Sequence, residues 1–159
     1  MYTPWGETQS TATIAPGIIS CSTASHGGFF VDADRFAAMP PQYQALVYPC
    51  MAINGGAWFE EDRAWVAVVL SFPYEFESYN RRKLESWKHA PMTPCAFPTN
   101  RLYYYRDGQY YTQEERDSTI DYYTRQLTEM PKRAKQIYED WYVKRQSGEE
   151  TTNGPTLHL

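Results

Sequence analysis

His26, which two glycines follow, is the side chain in this sequence best suited to acid–base chemistry. A neutral imidazole takes up or releases a proton near neutral pH. Two carboxylates, Glu60 and Glu61, lie in the other diglycine segment of the chain. A pair of His26 with Glu60 or Glu61 would make a small hydrolase or transferase. In that reading a glutamate orients the imidazole, and the amides of Gly27 and Gly28 hold an oxyanion.

A nucleophile for such an enzyme has three candidates close to the histidine, Cys21, Ser22 and Ser25. The G-x-S-x-G turn that presents a catalytic serine in many hydrolases does not occur in the sequence. The catalytic set is therefore incomplete, and His26 also fits a histidine whose ring hydrogen-bonds to backbone in a tight glycine turn. We expect a protein that is not an enzyme, with the hydrolase or transferase as the alternative.

Aromatic side chains follow both glycine pairs and give a second interpretation, a binding surface. Diglycines let the backbone approach a partner closely, and aromatic side chains dominate the energetics of contact surfaces. The sequence predicts that two glycine-hinged segments fold together into one concave contact face. Its predicted residues are His26, Gly27, Gly28, Phe29, Trp58 and Phe59.

Metal ions and cofactors are not expected. Consecutive side chains on a helix point about 100° apart, so the acidic run 60–62 would not converge on one ion. That run instead fits a favourable charge at a helix N-terminus. The three cysteines, Cys21, Cys50 and Cys95, lack the C-x-x-C spacing of a zinc site. They are typical of reduced thiols in a cytoplasm.

Composition limits the class of partner. The net charge of −4 and the pI of about 5.4 argue against general nucleic-acid binding, which needs a clustered basic face. The longest apolar run, residues 64–70, is far too short to span a membrane. A length of 159 residues with 42% hydrophobic residues is typical of one globular domain.

Turn residues divide the first half of the chain into short elements, since a Pro-Gly pair suits a type II turn and paired prolines stop a helix. The apolar run 65–70 fits a helix or a central strand, and the acids before it favour a helix. The predicted elements are an arm over 1–10, a β-hairpin over 11–14 and 18–23, a strand over 29–31, a helix over 33–39 capped by Asp32, a loop over 40–57, a helix that Glu60, Glu61 and Asp62 open and Pro73 ends, and a helix over 78–88.

The second half of the chain carries the clearest local signals. Asp107-Gly108 predicts a type I′ turn in a tyrosine-rich hairpin over 102–111. Thr112 and Glu115 match a capping box at the start of a long amphipathic helix over 113–146. Pro131 should kink or split that helix near Met130. The helix is also a possible homodimer face, and we expect residues 147–159 to be disordered.

Several short motifs occur in a fixed order between residues 3 and 90. They are Thr3-Pro4-Trp5-Gly6, the run 22–29, Met39-Pro40, the run 56–62, Ala64-Trp65 and Phe72-Pro73. Together they resemble a domain family of unknown function found in proteins of bacteriophages and bacterial mobile elements. The family's common form has glycine at the position of Ser25 and cysteine at that of Arg63, so any role of that cysteine is absent here. The resemblance implies a phage or mobile-element origin, a cytoplasmic setting, and residues 91–159 as an addition of this chain.

These observations predict an α+β fold: a small antiparallel β-sheet packed by helices, with a Tyr-rich β-hairpin and a long kinked C-terminal helix. One domain should cover residues 1–146. Given the resemblance and the incomplete catalytic set, we expect a small accessory binding protein. It would act as a counter-defence inhibitor that binds a host protein or sequesters a small nucleotide signal, with no membrane partner.

Overall fold

The structure, a computed structural model, describes residues 1–47, 52–53, 55–94 and 101–148. The strands in these residues are β1 (Tyr2–Thr3), β2 (Gly6–Glu7), β3 (Ser10–Ala15), β4 (Ile18–Ser22), β5 (Gly27–Val31), β6 (Ala52–Ile53), β7 (Gly56–Glu60), β8 (Met92–Pro94), β9 (Leu102–Arg106) and β10 (Gln109–Thr112). The helices are α1 (Ala33–Ala38), α2 (Pro41–Gln44), α3 (Trp65–Ser71), α4 (Pro73–Lys88), α5 (Gln113–Thr128) and α6 (Met130–Ser147). The antiparallel sheets and helices confirm the predicted α+β class.

The chain divides into two compact units. The first combines residues 1–71 with the segment from Lys132 onward, and the second is residues 72–131. The single domain over 1–146 stays a prediction. Within the described residues, no helix combines the length and the apolar character that crossing a bilayer requires.

A five-stranded antiparallel sheet in the order β3-β4-β5-β7-β6 forms the centre of the first unit. The predicted hairpin is confirmed, since β3 and β4 pair across a turn in which Gly17 has a φ of +80°. Asp32 caps α1 as predicted, because its carboxylate accepts a hydrogen bond from the Arg35 amide at 2.8 Å. The β3–β4 hairpin and the start of α1 are therefore both determined by residues close together in the sequence.

The strand register sorts the central side chains onto two faces, because opposed residues of antiparallel strands lie on the same side. Ile18, Val31 and Ala57 are opposed and fully buried on one face. Phe59 is buried on that face too, and its ring centroid lies 6.4 Å from that of Phe36 in α1. The other face carries a second aromatic cluster, in which Trp58 contacts Trp5 and Phe30.

Three predictions for residues 40–88 are wrong. Glu60 ends strand β7, and Glu61 and Asp62 lie in a turn, because β7 pairs with β5 as far as Glu60. The predicted loop over 40–57 contains α2 and the start of β7. Proline explains the other misplaced boundaries, since Pro41 and Pro73 occupy the first turns of α2 and α4, where a missing N–H costs nothing. Hence α4 begins at Pro73 and not at residue 78.

The second unit pairs a three-stranded antiparallel sheet, in the order β10-β9-β8, with α4 and α5. The predicted hairpin is confirmed, and its turn residues Asp107 and Gly108 have φ values of 49° and 81°. The capping box of Thr112 and Glu115 is present at the start of α5. The break predicted near Met130 is also confirmed, since α5 ends at Thr128 and α6 begins at Met130. The disordered tail predicted from residue 147 begins too early, since Ser147 is the last residue of α6 and Gly148 lies in a turn. Residues 149–159 lie outside the described residues.

Candidate functional site

The motif Thr3-Pro4-Trp5-Gly6 folds into a tight turn that presents one indole ring. The hydroxyl of Thr3 donates to the carbonyl of Gly6 at 2.9 Å and accepts from the amide of Trp5 at 3.1 Å. Gly6 has a φ of 118°, which only glycine adopts easily. The turn thus fixes Trp5, whose ring centroid lies 5.7 Å from that of Trp58 in an edge-on arrangement.

A second turn, between β4 and β5, presents His26. The hydroxyl of Thr23 donates to the carbonyl of His26 at 2.9 Å and accepts from its amide at 3.1 Å. The Thr23 amide donates to the same carbonyl at 2.7 Å. One threonine therefore fixes the backbone of this loop at His26.

The imidazole of His26, just before β5, lies beside the carboxylate of Glu60 at the end of β7. The Nδ1 atom of His26 lies 3.5 Å from Oε1 of Glu60, and the two side chains are 45% and 23% exposed. Glu61 instead lies beside Gly27, where a Cβ would approach its Oε2 to 2.8 Å. Of the two predicted carboxylates, the structure thus brings Glu60 to the histidine.

The predicted contact residues divide between the two faces of the sheet. Strand alternation places Gly28, Trp58 and Glu60 on one face, with Phe29 and Phe59 on the other. Trp58 is 5% exposed and Phe59 is fully buried, so these two rings support the sheet and do not line an open surface. The two motifs are neighbours, but they do not form one aromatic face.

Trp5 is a site residue that the sequence analysis placed in the arm over residues 1–10 and did not include in the contact face. Its six-membered ring lies over Gly28, where a Cβ would come within 2.7 Å of Cη2. It remains partly exposed on the face that carries Glu60. The sequence contains a signal for this residue, because a Pro-Trp-Gly turn places an aromatic ring at the tip of a loop.

The motifs that build this site belong to a larger domain. Residues 1–146 match a family described as a domain of unknown function, DUF7007. The chain belongs to the DUF7007 family. No significant match was found among curated proteins or among solved structures. The predicted membership of a family of unknown function is thereby confirmed.

The span of the DUF7007 match corrects one expectation. It runs through residue 146 and so includes the tyrosine hairpin, α5 and nearly all of α6. These elements belong to the DUF7007 domain and are not an addition of this chain. Both compact units therefore contain family sequence.

Two of the three candidate nucleophiles of this DUF7007 chain, Cys21 and Ser22, are poorly placed for catalysis. Burial raises the pKa of the Cys21 thiol, so that the unreactive protonated form is favoured. The hydroxyl of Ser22 lies 2.6 Å from that of Ser10, in a hydrogen bond across the strands. Gly28 is opposed to both Cys21 and Glu60 within the sheet, so its amide bonds to a neighbouring strand instead of facing a substrate.

Metal-binding groups do not gather in the described part of the DUF7007 domain, where no three side chains of His, Cys, Asp or Glu come together. Cys50 and Cys95 lie outside the described residues. The site that the structure builds is consequently a histidine–glutamate pair beside a partly exposed tryptophan.

Proposed function

We propose that this chain is a small accessory binding protein of a bacteriophage or mobile element, active in the host cytoplasm as a counter-defence inhibitor. It binds a host protein through His26, Glu60 and Trp5. The supporting observation is that three separate motifs meet at one end of the five-stranded sheet, with 3.5 Å between the His26 and Glu60 atoms. The resemblance to phage and mobile-element proteins supplies the setting.

The local charge favours a protein over a nucleotide signal as the partner. Glu60 is followed by Glu61 and Asp62, and the last two side chains are exposed. Carboxylates at this density repel the phosphates of a nucleotide, whereas they attract lysine and arginine on a protein. A partner surface with basic side chains around an apolar contact for Trp5 fits this site.

The experiment is affinity capture from host lysate with the wild type, H26A and H89A, followed by mass spectrometry of proteins and small molecules. His89 is a matched control, because its Nε2 lies 3.3 Å from Oε2 of Glu85 in another exposed pair. We expect one host protein to be retained by the wild type and H89A and depleted by about tenfold with H26A. Equal retention by all three proteins, or capture of a nucleotide only, would contradict the proposal.

The same pair also supports a second candidate, a small hydrolase or transferase. With Nδ1 facing Glu60, the Nε2 atom of His26 is the one placed to exchange a proton with a substrate or a water. Turnover of 4-nitrophenyl acetate or 4-nitrophenyl phosphate that H26A abolishes and H89A preserves would establish this activity. Absence of turnover with both compounds would leave the binding protein as the function.

A further inference from the structure

The three-stranded sheet of the second unit has one face packed and one face open. On the packed face, Tyr111 lies 4.9 Å from Trp87 of α4 in an edge-on contact. Arg116 of α5 stacks on Tyr104 at 4.4 Å, and Arg106 stacks on Trp87 at 4.6 Å. The helices of this unit therefore cover the side of the sheet that carries Tyr104, Arg106 and Tyr111.

Three tyrosines occupy the open face. Tyr105 and Tyr110 are directly opposed across the strands, with ring centroids 5.0 Å apart. Tyr103 lies on the same side, 6.4 Å from Tyr110 and perpendicular to it. Tyr105 is 44% exposed and Tyr110 is 61% exposed. The three rings form one continuous aromatic surface, which we call the tyrosine face.

The tyrosine face is uncharged but polar at its tips. Its other members are Thr93 and Thr112, opposed to Tyr103 in the two neighbouring strands. None of these five side chains carries charge at neutral pH. The hydroxyls of the three tyrosines make no hydrogen bond in the described part of the chain. The surface thus offers ring faces together with hydroxyl donors that have no partner among the described residues.

The area and the charge of the tyrosine face limit the kind of ligand that can bind there. Two half-exposed tyrosines and a third that is partly covered offer on the order of 300 Å², whereas a stable dimer needs about 800 Å² from each partner. A second copy of the chain is therefore a poor fit. A nucleic acid needs a basic groove beside its stacking rings, and the five side chains of the tyrosine face include no cation. A short uncharged segment complements both properties.

We infer that the tyrosine face binds a proline-rich segment of a partner protein in the polyproline II conformation. Such a segment carries no charge, and its backbone carbonyls make no internal hydrogen bonds, so they accept from tyrosine hydroxyls. Tyr103 and Tyr105 are two residues apart, about 7 Å along the strand. The ring of Tyr110 packs against both of these rings, so a pyrrolidine ring stacks on the outer surface of the three-ring cluster.

The test is titration of the full chain with a synthetic decaproline peptide, followed by calorimetry and by the aromatic NMR signals of the wild type. A glycine–serine peptide of equal length is the ligand control, because it lacks the preformed extended helix. We expect saturable binding of decaproline only, with shifts of the ring signals of Tyr103, Tyr105 and Tyr110. Because this readout uses the wild type, it does not depend on how any variant folds.

Variants then locate the binding surface. Y105S and Y110S should each raise the Kd by about tenfold, since buried aromatic anchors dominate such contacts. The matched control is Y74S, which removes an exposed tyrosine from α4 in the same unit and should leave the Kd unchanged. The inference is overturned if decaproline does not saturate the protein. It is also overturned if a decathymidine strand binds through these tyrosines, or if Y110S abolishes self-association.

Discussion

Trp5 and Gly28 are in direct contact, and the absence of a side chain at position 28 makes that contact possible. A Cβ on Gly28 would lie 2.7 Å from Cη2 of Trp5 and would also collide with the backbone carbonyl of Phe59. The glycine is therefore required by close packing on a sheet face and not by an unusual backbone angle. The sequence analysis predicted that the diglycine acts as a hinge, whereas in the structure Gly28 leaves room for the Trp5 ring to pack on the sheet.

Replacement of Gly28 by alanine should destabilise the first unit. Overpacking of this kind costs about 1–3 kcal/mol, and the backbone of Phe59 has little freedom to move within a sheet. G27A is the matched control, since the nearest atom to its Cβ is Oε2 of Glu61, at the end of a flexible side chain. Urea unfolding should show a larger loss of unfolding free energy for G28A, and equal losses would contradict the packing argument.

Two glycines with nearly equal backbone angles allow strain to be separated from collision. Gly17 and Gly108 have φ values of +80° and +81°, but a Cβ at Gly108 meets nothing within 4 Å. G108A should therefore lose about 1 kcal/mol of unfolding free energy, the cost of holding alanine in the left-handed conformation.

G17A adds a collision to the same backbone strain. Its Cβ would strike the carboxylate of Asp32 and approach Cγ of Arg35 to 2.8 Å, and that carboxylate caps α1. We expect G17A to cost at least about twice as much unfolding free energy as G108A. Thermal unfolding of both variants checks this order, and a smaller loss for G17A would refute the assignment.

Removal of the capping hydroxyl at Thr112 should weaken α5. This hydroxyl accepts from the Glu115 amide at 3.2 Å, and the Glu115 carboxylate accepts from the Thr112 amide at 2.7 Å. T112A should lose about 1 kcal/mol of unfolding free energy. T119A is the control, because the hydroxyl of Thr119 only donates to the carbonyl of Glu115 one turn back, at 2.8 Å within the helix, and its removal should cost less. Circular dichroism during thermal unfolding distinguishes the two.

Alkaline pH should destabilise the second unit through Tyr123. Burial, with neighbouring Tyr79 and Tyr122, raises the pKa of Tyr123 to about 12. Burial also raises the pKa of Tyr79. A tyrosine in the unfolded chain ionises near pH 10. The stability contributed by neutral Tyr123 is therefore complete below pH 10 and is lost as the pH rises from 10 to about 12.

Unfolding midpoints measured between pH 9 and 12 check this direction. The unfolding midpoint of Y123F should decline less steeply with pH than that of the wild type, because the variant lacks the phenol whose ionisation destabilises the fold. Y74F, which replaces an exposed tyrosine, corrects for the number of phenols. An unchanged slope in Y123F would show that Tyr123 does not carry the effect.

Local signals in the sequence were sufficient where one or two residues determine a conformation. The Asp107-Gly108 turn, the Thr112 cap and the break near Met130 were all predicted, because each depends on neighbours in the chain. Pro73 was predicted to end the preceding helix, and α3 does end just before it, at Ser71. The start of α4 was misjudged because the same proline also opens the next helix, a second role that is compatible with its missing N–H.

The site depended on strand pairing, which the sequence did not reveal. The acidic run was placed on a helix, whereas pairing with β5 keeps Glu60 in β7 and brings it to His26. The burial of Trp58 and Phe59 likewise follows from their position in a central strand. Residues 56–59 are all apolar or glycine, so the sequence does not show which of their side chains face the core and which face the other side of the sheet.

The assignment of α6 to the first unit sets an order of events during synthesis. Ala134 is fully buried and belongs to that unit, together with the first 71 residues. The ribosome therefore completes the continuous segment 72–131 before it releases the last part of the unit that begins the chain. Since domains generally fold as units, the first unit cannot complete its native contacts until the segment from Lys132 onward has left the ribosome.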